Sequence, residues 1–289
     1  MTEQLYLDDD AILRFEATVE RTAADRVVLD RTAFYPTGGG QPHDTGTLHA
    51  ADDPDWRWRV VDVEKTDTVY HTVEPADVDE GTDGTSLPTP GTRVVGEIDP
   101  ARRSAHARYH TAQHLLSALL LAEFDAATTG NQLYADHAHL DAAHDRFDAD
   151  DLDRIEDRLN ELVADDRPVT SHTMDRAVAE ERLDTDRTRI DLLPDSITEL
   201  RIVEIAGIAD DAGIADDAGI ASDAGIASDA GTADDTEVEA DLEREPYDRT
   251  ACAGTHVDST GEIGEVTVTG RETKGSNEER IRFVLADHV

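Results

Sequence analysis

The sequence predicts an α+β chain in which a small N-terminal β-barrel-like domain precedes a larger α+β domain of antiparallel sheet and helices. Three observations carry this prediction: short β-type runs broken by glycine and proline over roughly the first ninety residues, a helix start at Asp99-Pro100, and helical apolar spacing beyond it mixed with paired strand patterns.

The β-type runs are Ala17 to Val19, Arg26 to Leu29, Trp56 to Val63 with its alternating Trp-Arg-Trp-Arg start, and Thr68 to Val73. Pro75 to Gly91 is rich in Asp, Gly, Thr and Pro and reads as a linker or long loop. The boundary therefore falls at residue 92, giving domains over 1–92 and 93–289. Asp99 suits an N-cap and Pro100 the first helical position. In the helix that follows, Ala112, Leu115, Leu116, Leu119 and Leu120 share one face, and His106, His110 and His114 fall on roughly the opposite one, away from that core stripe.

A second amphipathic helix is predicted from about Asp150 to Ala164, through Leu152, Ile155, Leu159 and Leu162, and a short third over Asp175 to Leu183. Leu200 to Ile205 reads as a strand, and Glu265 to Thr269 with Ile281 to Leu285 as a hairpin around Lys274-Gly275-Ser276-Asn277. From Gly207 to Ala230 runs an acidic repeat of period six, in which one isoleucine per unit buries too little to offset chain entropy. It is expected to be a disordered low-complexity insertion, at about 207–236, without functional content.

The 289 residues carry 66 acidic against 26 basic side chains, a net charge of -40 spread along the chain. Only Lys65 and Lys274 are lysines. Such a surface suits a halophilic, high-salt cytoplasm, where a Debye length of roughly 3 Å in molar salt screens repulsion between carboxylates. Nucleic acid is not excluded as a partner, but its binding has to rest on local contacts, because salt removes most of the counterion-release gain. One cysteine, Cys252, rules out an internal disulfide. No apolar stretch reaches the roughly 18 residues of a membrane span, so a cytoplasmic protein is expected.

The chemistry-bearing residues form two groups. His110 and His114, four apart on a helix, project about 6 Å from each other and suit one metal ion. His106 pairs with His110 at the same spacing, and solvated surface histidines would give the same pattern, so the helix alone does not choose. Position 111 is Thr, not the Glu that serves as base in a zinc-protease helix, which argues against a peptidase. Downstream, Cys252-Ala253-Gly254-Thr255-His256 offers a thiolate and an imidazole from a tight loop. Three nitrogens and one sulfur suit Zn2+.

His110-Thr111-Ala112-Gln113-His114-Leu115-Leu116, Cys252-Ala253-Gly254-Thr255-His256 and Thr260-Gly261-Glu262-Ile263-Gly264 closely resemble the editing domain of alanyl-tRNA synthetase and its freestanding AlaX-type relatives. Arg201-Ile202-Val203-Glu204-Ile205 is similar to the family strand before the cysteine loop, and the family usually has glycine where Ala253 stands. Phe34 to Pro42, with Asp44 and Gly46, looks like the glycine-rich segment of the longer form of these proteins. The resemblance pairs His110 with His114 and implies a zinc site of His110, His114, Cys252 and His256. It implies a trans-editing aminoacyl-tRNA deacylase that acts on serine, and on glycine, misattached to tRNA(Ala), with the acceptor end of that tRNA as partner.

By the same resemblance Thr128, and less directly Gln132, would contact the substrate hydroxyl, and Gly38, Gly39, Gly40 and Gln41 would help recognise tRNA or substrate. Arg102, Arg103 and Arg108 lie beside the helix, placed either to meet phosphates or to be solvated. The modules of a full synthetase have no room here, so ligase and ATP-binding activities are not expected. The competing reading is a zinc-stabilised tRNA-binding module without hydrolysis.

Overall fold

A computed structural model of the chain describes residues 1–76, 86–183, 190, 197–208 and 245–289. Strands β1 (Glu3–Gln4), β2 (Arg14–Ala23), β3 (Arg26–Leu29), β4 (Arg31–Thr32), β5 (Gly46–Ala50), β6 (Asp53–Lys65), β7 (Val69–Pro75) and β8 (Arg93–Ile98) make up the N-terminal part. Six of them close into a barrel in the order β2-β3-β7-β6-β5-β8, while β1 and β4 pair in parallel beside it.

Alternation fills the barrel. In β6, Trp58, Val60 and Val63 are buried while Arg57 and Arg59 face out. Phe15, Leu29, Phe34, Leu48, Val73, Val94 and Ile98 complete that core. The barrel runs past residue 92, because β8 pairs with both β2 and β5 and supplies the closing seam. The linker signal at Pro75 to Gly91 therefore marks a long connection within the barrel, of which 77–85 lies outside the described residues.

Helix α1 (Pro100–Phe124) follows without a break. The Asp99 side chain accepts hydrogen bonds from the backbone N–H groups of Ala101 and Arg102, as its place before Pro100 predicts. Then come β9 (Thr128–Leu133), β10 (Ala138–Ala142), α2 (Ala149–Ala164), β11 (Val169–Asp175), α3 (Arg176–Arg182), β12 (Glu199–Ile205), β13 (Asp248–Ala251), β14 (Val266–Gly275) and β15 (Glu278–Leu285). They form two antiparallel sheets, β14-β15-β10-β9 and β11-β12-β13. α2 starts with a capping box between Asp148 and Asp151 and buries Ile155, Leu159, Leu162 and Val163. The acidic repeat lies outside the described residues from position 209 onward.

The histidines of α1 lie opposite its leucine stripe, as their spacing predicts, and that second face is covered too: His106, His110 and His114 are buried like the leucines. The leucines pack with α2 and the four-stranded sheet, whereas the histidine face is covered by the barrel's glycine-rich loop. Arg103 ties the two parts together. It is 3% exposed and donates to Asp44 at 2.6 Å and to the carbonyls of Ala33 and Asp10 at 2.6 and 2.7 Å.

Candidate active site

The structure brings His110, His114, Cys252 and His256 together, with one donor atom from each lying within 4.8 Å of all the others. α1 supplies the first two from successive turns. The loop after β13 supplies the others, and Gly254 lets that loop lie against the helix: a Cβ there would sit 2.0 Å from His110 Cε1. Arg201 on β12 holds the loop by donating to the carbonyls of Cys252 and Gly254 at 3.3 and 2.8 Å, and it is anchored by Asp10 at 2.9 Å. The same Asp10 carboxylate oxygen accepts the His256 N–H.

Each imidazole is aimed by a partner on its Nδ1. Gln41 Oε1 already accepts the N–H of Thr255 at 3.1 Å, so it is an oxygen, and His110 Nδ1 donates to it at 2.9 Å. His114 Nδ1 donates to the buried Asp248 carboxylate at 2.6 Å. The Thr111 hydroxyl donates to the Ala107 carbonyl, which leaves its lone pairs for the N–H of Val257 and for His256 Nδ1 at 3.2 Å. In the neutral form of each ring, with its proton on Nδ1, the Nε2 atom offers a lone pair to an ion.

Cys252 Sγ lies 3.5 Å from His110 Nε2 and 3.4 Å from His256 Nε2. A tetrahedral ion with bonds of roughly 2.3 Å to sulfur and 2.0 Å to nitrogen separates its donors by roughly 3.5 Å. The residues therefore fit such an ion. The electrostatics agree. Burial raises the Cys252 thiol, but His110 and His256 beside it outweigh burial and hold it well below the ordinary thiol value. Burial pulls His256 down to about 3, helped by repulsion from His110, so it stays neutral. Burial lowers His114 as well, yet its hydrogen bond to Asp248 and the nearby Cys252 raise it to about 10. The centre favours positive charge between a thiolate and a carboxylate. His106 is outside this group: burial, then Arg102 and Arg103, push it down to about 3.

The centre opens on a cleft of ≈ 710 Å³ whose walls include His110, His114 and Cys252. Thr128 lines it, with its hydroxyl 2.8 Å from that of Ser117, one helical turn past His114. Gln132 does not line the cleft; its amide nitrogen donates to the Leu133 carbonyl. Gly38 and Gly39 line the cleft, and Gly39 and Gly40 take positive φ, +58° and +81°. Gly40 packs on Asn131, and Gln41 is 1% exposed behind His110, away from the cleft wall. The histidine orienters Gln41, Thr111 and Asp248 were not assigned from sequence in this role; Gln41 and Thr255 lie 214 residues apart, and no local spacing joins them.

The arginines beside α1 are engaged within the protein. Arg103 is buried on Asp44, Arg108 pairs with Asp287 at 2.8 Å, and Arg102 donates to the His43 carbonyl at 2.9 Å. None of the three is a solvated arginine awaiting phosphate.

Residues 8–102 match the family of tRNA synthetases class II (A), and residues 235–282 match the threonyl and alanyl tRNA synthetase second additional domain. The alanyl-tRNA editing protein AlaX-M of Methanosarcina acetivorans is 34% identical over 289 residues, covering 99% of this chain and 100% of the relative. The protein of the same name from Methanosarcina barkeri is also 34% identical over 289 residues, with the same coverage. The alanine–tRNA ligase of Methanopyrus kandleri is 33% identical over 299 residues, which is 99% of this chain and 26% of the ligase. With full-length identity of this order joined to the His-x-x-x-His helix and the Cys252 loop, the chain belongs to the family of alanyl-tRNA editing proteins.

Proposed function

We propose that this chain hydrolyses the ester joining a wrong amino acid, serine foremost and glycine second, to the 3′ adenosine of tRNA(Ala). The observation that carries the reading is the placement of His110, His114 and Cys252 in the wall of an open cleft, beside the paired hydroxyls of Ser117 and Thr128. A purely structural centre has no need of a cleft. The donor set of three imidazole nitrogens and one thiolate suits zinc, which when bound supplies a Lewis acid beside the ester carbonyl.

The chain's own residues sort the substrates. An alanine-activating site cannot strongly reject an added hydroxyl, so a second site must select for it. Ser117 and Thr128 carry two hydroxyl protons and share one hydrogen bond, which leaves one donor free for a serine side chain. An alanine methyl in that place would bury the donor unpaired, at a cost of about 1–3 kcal/mol. Gly38 and Gly39 bring bare backbone to the opposite wall, where a ribose and its base can approach.

The four-ligand set is also what a closed structural centre would show, which favours a second reading as a zinc-stabilised tRNA-binding module. Zinc-loaded protein in high salt, given seryl-, glycyl- and alanyl-tRNA(Ala), separates the two. Serine is expected to be released well above the uncatalysed rate and alanine retained. Serine loss at the uncatalysed rate, with zinc bound, would leave only the module.

A further inference from the structure

The cleft differs in charge from the rest of the molecule. Of 289 residues 66 are acidic, yet none of the described residues lining the cleft is Asp or Glu. The shallower groove along α2 shows what the surface otherwise looks like, with Glu123, Asp150, Asp153, Asp157 and Glu161 in its walls. Lys65, one of two lysines in the chain, is the one Lys or Arg in the cleft lining. It stands exposed at the end of β6, in the barrel, and lines the same cleft as Cys252.

Lys65 has no ion-pair partner among the described residues, in a chain where most cations have one. The nearest carboxylates in sequence are occupied elsewhere. Glu64 pairs with Arg26 at 3.0 Å, and Asp67 accepts from the hydroxyls of Thr66 and Tyr70 at 3.0 Å. Lys274, by contrast, sits 3.9 Å from Glu272 and is not among the residues lining the cleft. The arginines of α1 are also committed internally, so Lys65 is the cation left to meet an anion in this cavity.

We propose that Lys65 binds a phosphodiester of a single-stranded RNA 3′ end whose terminal ribose lies over the His110–Cys252 centre. This rests on the function proposed above for the identity of the ligand. A cleft of ≈ 710 Å³ is large enough to enclose a terminal nucleotide. An ammonium without an ion-pair partner among the described residues gives phosphate a contact at close range in a wall whose described lining holds no carboxylate. That matters on a surface of charge -40, where long-range attraction of RNA is absent.

The test is anisotropy titration of a labelled, uncharged RNA ending in CCA, over a series of KCl concentrations. Wild type, Lys65→Gln, Lys65→Arg and the control Lys274→Gln are compared. Lys65→Gln is expected to bind roughly tenfold more weakly, while Lys65→Arg and Lys274→Gln stay near wild type. The slope of log K against log[KCl] should fall by about 0.7 in Lys65→Gln, the value of one lost contact to a single strand. A change of fold alone would not give that slope.

Deacylation supplies the second arm. Lys65→Gln is expected to raise KM for seryl-tRNA without lowering kcat, and to match wild type on 3′-seryl-adenosine, which has no phosphate. Unchanged RNA affinity and slope in Lys65→Gln, or no RNA binding by wild type, would overturn the assignment. Lys65-dependent RNA binding by a protein that hydrolyses no ester would instead uphold it and defeat the hydrolase reading.

Discussion

Gln41 Oε1, in the barrel's glycine-rich loop, accepts a hydrogen bond from His110 Nδ1 on α1 at 2.9 Å, although 69 residues separate the two. The barrel thus reaches into the metal-binding group and fixes the tautomer of its first histidine. Replacing Gln41 by Ala is expected to weaken zinc affinity about 10–100-fold, the usual cost of losing an outer-shell partner, with little change in secondary structure. Competition with a chromophoric chelator measures this, and wild-type affinity in Gln41→Ala would remove the barrel from the centre.

Cys252→Ala and His114→Ala each take away a donor, so metal content and deacylation should fall together. Gly254→Ala should do the same without touching a donor, since its Cβ would lie 2.0 Å from His110 Cε1 and force the imidazole aside. Elemental analysis of the purified variants decides it: full zinc in Cys252→Ala and His114→Ala would count against this ligand set.

Arg103→Ala leaves the fully buried Asp44 carboxylate with no cation beside it. Breaking one side of such a pair costs about 3–5 kcal/mol. Guanidinium unfolding followed by circular dichroism should show the shift. A loss under about 1 kcal/mol would mean that the barrel and α1 are not coupled through this contact.

His71 is buried in the barrel between the Thr32 hydroxyl and the Val27 carbonyl. Burial pulls its pKa down to about 4, opposed in part by the hydrogen bond to Val27. A histidine with a depressed folded pKa stabilises fully above its unfolded value of about 6.5, and that stability is lost as pH falls through its folded value near 4. By pH 5 about 2 kcal/mol should be gone. His71→Gln should show a smaller loss between pH 7.5 and 5 than wild type, and equal losses would show that His71 does not titrate this way.

The charge of -40 makes a prediction about salt. Raising KCl from about 0.1 M to about 1 M shortens the Debye length from about 10 Å to about 3 Å. The thermal midpoint should rise across that range. A flat or falling response would contradict a protein suited to concentrated salt.

What the sequence revealed was local. Asp99 and Pro100 mark the start of α1 because a cap and a fixed φ act within one turn. A family likeness singles out Thr128, and the structure puts it in the cleft wall, where its role in substrate contact is a proposal. The α1 histidines lie opposite the leucines as their spacing predicts, but their burial is not legible in the sequence, because an apolar stripe reports one packed face. It cannot report a second face packed on polar partners such as Gln41 and Asp44. Strands β5, β9 and β13 escaped notice because runs such as Thr-Thr-Gly-Asn-Gln-Leu have little apolar alternation and are held by their neighbours. Arg103 read as a surface cation since its burial depends on Asp44, 59 residues earlier.

The Gln41–Thr255 contact closes a loop of 214 residues, so the candidate metal group is expected to assemble late in folding. While the chain is being synthesised, the barrel and α1 can form long before the segment around Cys252 exists. Until that loop docks, His110 and His114 are only two imidazoles on a helix, with weak hold on any ion. Uptake of a metal by these four side chains would therefore report that the Cys252 loop has docked on α1, and a refolding experiment can use it as a clock for that step.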